Sequence, residues 1–239
     1  MKTKNRLNVL SELFLVRHGQ ASFGAADYDQ LSSIGYKQSK LLGHFLSAQN
    51  LEFDRFACGD MRRHFQTLTE VCVGMKISNK NPEIMPGLNE YDFEGMYEAY
   101  GKVFGDNELF NIVQKDTSNK KNYYRLLRQI LSAWVDNQIP EVPESWNDFQ
   151  FRVKDSLNKI MSNSETGSKV LVIASGGSIS ALVGLVLGIP NSKIFDLNLQ
   201  YLNTGVSHFF FNKQKINLSG FNSISHLQSK ANRDLITYG

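Results

Sequence analysis

The chain has 239 residues, of which 41% are hydrophobic and 21% are charged. This length can bury one sizeable core, and the composition excludes disordered, collagen-like and disulfide-framework proteins. The 26 basic and 23 acidic residues are mixed along the chain. Without a basic stripe we expect no nucleic-acid partner, and a small anionic partner suits the charge balance better.

Targeting and redox signals favour the cytoplasm. Residues 1–16 join a basic start to an apolar stretch, but polar residues interrupt that stretch and no cleavage site follows. The longest apolar run, residues 179–189, is too short to cross a membrane. Cys58 and Cys72 are the only cysteines and make an improbable framework for a chain of this size. We therefore expect reduced thiols, no membrane association and a cytoplasmic protein.

The first third of the chain alternates strands with helices. Hydrophobic spacing and capping residues predict, in chain order, a strand at 12–16, a helix at 33–50 with Ser32 or Ser33 as its N-cap, a strand at 53–58 and a helix at 62–75. Residues 76–122 are irregular and rich in Asn, Lys, Gly and Asp. We expect loops and helices there that form a cap insertion over about 76–145.

The remaining elements complete an α/β pattern. We predict a helix that ends before Pro140, a helix capped by Ser145, a strand at 169–174 with a glycine turn and helix after it, and strands at 205–211 and 216–221. This order predicts a three-layer α/β/α sandwich around a mostly parallel sheet, with an antiparallel strand near one end. We interpret residues 1–239 as a single domain.

The sequence Arg17-His18-Gly19 follows the first buried strand directly. A guanidinium beside an imidazole at such a place is costly unless an anion binds there. Arginine matches phosphate oxygens with its planar fork of donors, and a neutral histidine nitrogen can attack phosphorus. The tripeptide therefore predicts a phosphoryl-binding site in which His18 takes the phosphoryl group.

Three segments are similar to motifs of the histidine phosphatase superfamily, also called the phosphoglycerate mutase-like family. Residues 13–20, Leu-Phe-Leu-Val-Arg-His-Gly-Gln, resemble its signature strand and loop. In residues 59–67, which resemble its second motif, counting back from Gln-Thr places the phosphate-binding arginine at Arg63. Arg62 takes that place if the helix starts one residue differently.

A third segment, residues 88–95, resembles the part of the family that supplies an acidic proton donor. The resemblance gives that role to Glu90, while Asp92, Glu94 and Glu98 can be ordinary surface acids. The three segments and the late strand follow the family's order from about residue 12 to residue 212, so the resemblance covers most of the chain.

The sequence departs from the family after its late strand. The family usually has a second histidine there, followed by glycine, whereas this chain has Ser175 and Gly176. A serine donates one hydrogen bond but brings no positive charge, and losing a preorganised donor costs on the order of 10²–10³ in rate. Ser175 either contacts phosphate or simply makes a tight turn. In the first loop, Gly24 stands where many members have asparagine.

The resemblance implies a metal-independent phosphomonoesterase that works through a phosphohistidine. His18 and Glu90 would be catalytic, and Arg17, Arg63, Ser175 and Gly176 would bind phosphate, the last through amides at a helix N-terminus. The alternative is a phosphate- or phosphoprotein-binding module with little or no turnover. A phosphoglycerate mutase is disfavoured because no basic residue follows Glu90.

Other expectations concern the surroundings of the site. We expect no cofactor or metal, because the sequence lacks a spaced Cys/His cluster. The substrate would be a small phosphate ester or a phosphoprotein. The sequence leaves open whether the chain forms a homodimer. Phe23 and Tyr28 are candidates for contacting the leaving group. We expect structural roles for the other histidines, including His64, which is rotated about 100° from Arg63 on a helix.

Overall fold

The computed structural model describes residues 10–22, 28–78 and 81–238. The strands are β1 Ser11–Arg17, β2 Arg55–Cys58, β3 Glu83–Ile84, β4 Lys169–Ala174, β5 Val206–Phe211 and β6 Ile216–Ser223. The α-helices of these ranges are α1 Ser33–Ala48, α2 Arg62–Met75, α3 Phe93–Phe104, α4 Glu108–Lys115, α5 Lys120–Val135, α6 Trp146–Ser162, α7 Gly176–Leu187 and α8 Asn191–Asn198. Short 3₁₀ helices lie at Pro86–Leu88, Ser225–Leu227 and Lys230–Leu235.

The described strands form one six-stranded sheet in the order β3-β2-β4-β1-β5-β6. The pairs β3-β2, β2-β4 and β4-β1 are parallel, and the pairs β1-β5 and β5-β6 are antiparallel. Because β6 is antiparallel to β5, it runs in the same direction as β1, and β5 is the one strand of the sheet that runs the opposite way. The predicted mostly parallel sheet with an antiparallel strand near one end is therefore confirmed.

Side chains of β1 alternate between two cores, as a period of two requires. Leu13 and Leu15 belong to one core, which includes residues of α6 and α7, while Phe14 and Val16 belong to the other, which is built with α1 and α2. Helices thus cover both faces of the sheet. The predicted α/β/α sandwich is confirmed.

Helix starts follow the predicted capping residues. The Ser32 hydroxyl accepts a hydrogen bond from the Gly35 amide at the start of α1, and the Ser145 hydroxyl accepts one from the Asp148 amide at the start of α6. Each of these bonds satisfies an amide that the helix itself leaves unpaired. Cys58 and Cys72 are both buried, and no disulfide joins them.

The region predicted as a cap contains α3, α4 and α5. The side chain of Trp134 on α5 packs against Trp146 and Phe195, with ring centroids 5.1 and 6.1 Å away. The insertion therefore shares the larger core with the α6–α8 side of the sheet. This sharing supports our proposal of a single domain over 1–239 with a cap at about 76–145.

Candidate active site

The site lies where two neighbouring parallel strands end. Arg17 at the end of β1 is in register with Ala174 at the end of β4, and the His18 amide donates to the Ala174 carbonyl at 3.0 Å. His18 and Ser175 therefore follow adjacent strands at the same edge of the sheet. Ligand sites of open α/β sheets lie outside this carboxyl edge.

Hydrogen bonds fix the tautomer of His18. Its Nδ1 lies 2.7 Å from the Gly19 carbonyl oxygen, which can only accept, so Nδ1 carries the proton. Its Nε2 lies 3.1 Å from Nε of Arg63, which can only donate, so Nε2 presents a lone pair. Burial, reinforced by the positive charges of Arg63 and Arg17, lowers the pKa of His18 well below its ordinary value. The imidazole is therefore neutral, and its Nε2 can act as a nucleophile.

Arg63 is the arginine that contacts His18. It is buried, whereas Arg62 is exposed. Nη1 of Arg63 donates to Oδ1 of Asp29 at 2.7 Å, and Oδ2 of the same carboxylate accepts from the Arg62 backbone amide at 2.8 Å. Asp29 thus caps the start of α2 and orients Arg63 at the same time. The sequence-based preference for Arg63 agrees with this placement.

Arg17 is a second buried guanidinium at the site. Its Nη1 donates to the Tyr201 carbonyl. Its Nε is buried and has no hydrogen-bond partner among the described residues. Burial lowers the pKa of Arg17, although the carboxylate of Glu90 opposes that shift. A buried donor without an acceptor is rare in proteins, and an anion in the site would satisfy it.

Glu90 lies at the N-terminus of α7. Both of its carboxylate oxygens accept from the Gly177 amide at 3.1 Å. A Cβ added to Gly177 would lie 2.1 Å from Oε1 of Glu90, so this approach requires glycine. The anion that the helix start attracts in this structure is therefore the Glu90 carboxylate. Gly176, the first residue of α7, packs beside the guanidinium of Arg17.

Ser175 and His64 form a buried pair that the sequence analysis missed. Nε2 of His64 lies 2.9 Å from Oγ of Ser175, and the rings of His64 and His18 have centroids 5.6 Å apart. Burial, together with the charge of Arg63, lowers the pKa of His64 to about 3. His64 is therefore a neutral imidazole in the site.

The misjudgement of His64 has a geometric cause. A rotation of about 100° separates neighbouring side chains on the flank of a helix. Arg63 and His64, however, lie in the first turn of α2, where side chains lean toward the N-terminus and the helix meets the site with its end. Both side chains therefore lie beside His18. A histidine beside an arginine at a helix start is the signal that could have revealed this.

The Gln-Thr pair of the second motif supports the first loop. Oγ1 of Thr67 accepts from the Gly19 amide at 3.0 Å, and Oε1 of Gln66 accepts from the Leu31 amide at 2.7 Å. These bonds tie α2 to the segment that follows His18 and to the segment that precedes α1. The Gln-Thr pair thus helps to position His18 without touching it in the described contacts.

Of the two aromatic residues predicted to contact the leaving group, Tyr28 lies beside Arg63. The guanidinium carbon of Arg63 lies 5.7 Å from the ring centroid of Tyr28, which is half exposed. Tyr28 therefore borders the site. Phe23 and Gly24 lie outside the described residues.

The described residues contain no group of three or more His, Cys, Asp and Glu side chains that could hold a metal ion. In the same part of the chain, no helix is both long and apolar enough to cross a membrane.

The model of the histidine phosphatase superfamily (branch 1) matches residues 13–104 and 111–224. The chain belongs to the histidine phosphatase superfamily. The assignment from sequence motifs is thus confirmed, and with it the class of enzyme, a histidine-type phosphatase.

Several relatives extend over most of the chain. A Hydrogenobacter thermophilus protein whose name proposes a phosphoserine phosphatase is 22% identical over 232 residues, which cover 91% of this chain and 98% of that protein. The phosphoglycerate mutase of Bacillus anthracis has a TM-score of 0.66 at 22% identity and covers 93% of this chain and 97% of its own. A phosphoserine phosphatase mutant of Entamoeba histolytica in complex with phosphoserine has a TM-score of 0.62 at 17% identity, and the match covers 91% of this chain and 100% of that protein. At these identities the solved structures establish the shared fold.

Proposed function

We propose that this histidine phosphatase is a metal-independent phosphomonoesterase that works through a phosphohistidine at His18. The observation that carries the proposal is the state of His18, whose proton is on Nδ1 and whose Nε2 lone pair faces a buried guanidinium. Arg17 supplies a second buried guanidinium with an unpartnered Nε. Two such cations beside a neutral nucleophile suit a phosphoryl group, since each binds oxygens without competing for phosphorus.

In the first step the Nε2 lone pair of His18 forms a bond to phosphorus as the bond from phosphorus to the ester oxygen breaks. Arg63 moves its Nε–H from His18 to a phosphoryl oxygen, and Arg17 donates its unpartnered Nε–H to another. Glu90 enters this step as a carboxylic acid and gives its proton to the departing oxygen, which leaves as an alcohol. The Gly177 amide holds the Glu90 carboxyl group in place for this transfer.

In the second step a water molecule attacks phosphorus. Glu90 takes a proton from that water, the new oxygen–phosphorus bond forms, and the nitrogen–phosphorus bond breaks with its electrons returning to Nε2. Inorganic phosphate leaves, and both His18 and Glu90 recover their starting protonation. Every group in this scheme belongs to the chain, the ester or the attacking water.

The substrate class we propose is a small phosphate ester. The relatives named for phosphoserine support it, and so does the half-exposed ring of Tyr28 beside Arg63, which offers an apolar surface to a leaving group. The site residues assigned to this reaction are His18, Glu90, Arg17, Arg63, Ser175 and Gly176.

The test compares wild type with His18→Ala on p-nitrophenyl phosphate and a panel of small phosphomonoesters, with and without EDTA. His44→Ala, which alters an exposed histidine on α1, is the matched control. We expect turnover in wild type and the control, none in His18→Ala, and no effect of EDTA. Rapid acid-free denaturation during turnover of a ³²P-labelled ester should trap a label that mild acid releases, as a phosphoramidate requires.

Equal rates in wild type and His18→Ala would refute the proposal. If orthovanadate raises the melting temperature of wild type while no ester is hydrolysed and no phosphoenzyme forms, the chain is the phosphate-binding module instead.

A further inference from the structure

His64 is a buried imidazole that the proposed reaction leaves without a task. It is fully buried, its ring centroid lies 5.6 Å from that of His18, and its Nε2 lies 2.9 Å from Oγ of Ser175. Its Nδ1 is buried with no hydrogen-bond partner among the described residues. Burying an imidazole in this way is unfavourable unless the group does something there.

The backbone around His64 leaves room for the ring. A Cβ added to Gly59, at the end of β2, would lie 2.3 Å from Nδ1 and 2.7 Å from Cε1 of His64. Any other residue at position 59 would push the imidazole away from Ser175. The position of the His64 imidazole therefore depends on glycine at position 59.

The direction of the hydrogen bonds identifies what the pair can offer. The Ser175 hydroxyl donates to Sδ of Met61 at 3.8 Å, and a thioether is a weak acceptor. With the hydroxyl proton on that side, Oγ of Ser175 can accept a hydrogen bond from His64 in the tautomer that carries its proton on Nε2. Donation into Oγ polarises the hydroxyl and strengthens its own proton as a donor.

The hydroxyl is positioned for a phosphoryl group on His18. Ser175 and His18 follow the paired strands β4 and β1 directly, and the His18 amide binds the carbonyl of Ala174, the residue before Ser175. Ser175 is the N-cap residue of α7, yet its hydroxyl makes no capping hydrogen bond, and the Gly177 amide is bound by Glu90 instead. The hydroxyl is thereby left available for a ligand.

We propose that His64 is a positioning residue of the phosphoryl site, which holds and polarises the Ser175 hydroxyl so that this hydroxyl donates to a phosphoryl oxygen beside His18. The inference rests on the proposed phosphoryl transfer at His18 and adds a relay, His64 to Ser175 to phosphoryl, to it. No bond to phosphorus is made by either residue. On substrate binding the hydroxyl exchanges its thioether acceptor for a charged oxygen, which is a much stronger hydrogen bond.

The test is a double-mutant cycle of His64→Ala, Ser175→Ala and the double variant, measured as kcat and KM on the ester that wild type hydrolyses best. If the two residues act as one unit, each single variant lowers kcat by on the order of 10², KM changes less, and the double variant is no worse than the singles. His64→Gln, whose amide can still donate to Oγ, should recover part of the loss. His208→Gln, which removes a histidine paired with Glu12 elsewhere on the sheet, is the control.

Three results would overturn the relay. One is a His64→Ala variant with wild-type kcat, another is a double variant whose loss is the product of the single losses, and the third is a His64→Gln variant no better than His64→Ala. Melting curves of all variants separate these results from failure to fold.

If wild type hydrolyses no ester, the proposed turnover fails but the relay is still tested. The same cycle is then measured as the affinity for orthovanadate, by its effect on the melting temperature. A loss in His64→Ala that does not grow in the double variant supports the relay. Wild-type affinity in His64→Ala refutes it.

Discussion

Stability should fall in mild acid because of a buried histidine behind the site. Nε2 of His226 lies 2.8 Å from Oγ1 of Thr204, whose backbone amide donates to the Arg17 carbonyl at 3.1 Å. Burial lowers the pKa of His226 to about 4 from an ordinary value of 6.5. The unfolded chain therefore takes up a proton below about pH 6.5 while the folded chain does not until about pH 4, and folding stability is lost across that interval.

The size of the effect follows from the two pKa values. The unfolded state binds about half a proton at this residue at pH 6.5 and close to one at pH 5, and each pH unit over which it holds one proton more than the folded state is worth about 1.4 kcal/mol. His226 alone should thus remove about 2 kcal/mol from the free energy of unfolding between pH 7 and pH 5. His226→Gln abolishes the titration and keeps an amide that can donate to Thr204.

The assay is urea denaturation of wild type and His226→Gln at pH 7 and at pH 5, followed by circular dichroism. The quantity compared is the difference in the free energy of unfolding between the two pH values, so a constant packing defect in the variant cancels. We expect this difference to be about 2 kcal/mol smaller in His226→Gln. The same difference in both proteins would show that His226 is not held neutral in the folded state.

Three further changes test the site. Glu90→Gln keeps a hydrogen-bond acceptor for the Gly177 amide but has no proton to give, so kcat on alkyl phosphates should fall by about 10²–10⁴. The fall on p-nitrophenyl phosphate should be much smaller, because its leaving group needs no acid. An equal fall on both substrates would show that Glu90 is not the proton donor. Gly177→Ala would place its Cβ 2.1 Å from Oε1 of Glu90 and should lower kcat on alkyl phosphates. Gly220→Ala is the control and should leave kcat unchanged, because the nearest atom to its Cβ would lie 4.0 Å away. Equal rates in the two variants would contradict the close approach of Glu90 to Gly177. In Arg63→Lys the ammonium group cannot donate two hydrogen bonds in a planar fork, so kcat/KM should fall at least about tenfold in steady-state kinetics on the same ester. Full activity in this variant would mean that a point charge at position 63 is sufficient.

Local signals made much of the fold predictable. The residues 62–75 predicted for the second helix are those of α2, and α1 and α6 start at their predicted serine caps. Their apolar spacing and caps act within a few residues, so the sequence alone carries them. Helix α8 escaped prediction because it has only 8 residues and its N-cap is Pro190, which makes no side-chain cap.

The site was predictable where its residues follow strands and unpredictable where they meet across the fold. Arg17 and His18 stand out because charged groups end a buried apolar run. Asp29 does not stand out in the sequence, because its role comes from hydrogen bonds to Arg62 and Arg63, which are separated from it by 33 and 34 positions in the chain. Nothing in a loop carboxylate's own surroundings in the sequence reveals which arginine it will orient. His64 escaped for a related reason, since its partner Ser175 is 111 positions away.

The contact between Arg63 and His18 has two consequences for the proposed reaction. In this structure Nε of Arg63 donates to the lone pair that must attack phosphorus, so the nucleophile is occupied. A phosphoryl oxygen is a charged acceptor and binds a guanidinium more strongly than a neutral imidazole does. Substrate therefore draws the Arg63 donor away and frees Nε2 in the same movement, while Asp29 keeps the guanidinium nearby through Nη1. An anion without a transferable phosphoryl group would free the lone pair equally well, so sulfate should compete with substrate by occupying the guanidiniums of Arg63 and Arg17 without altering His18.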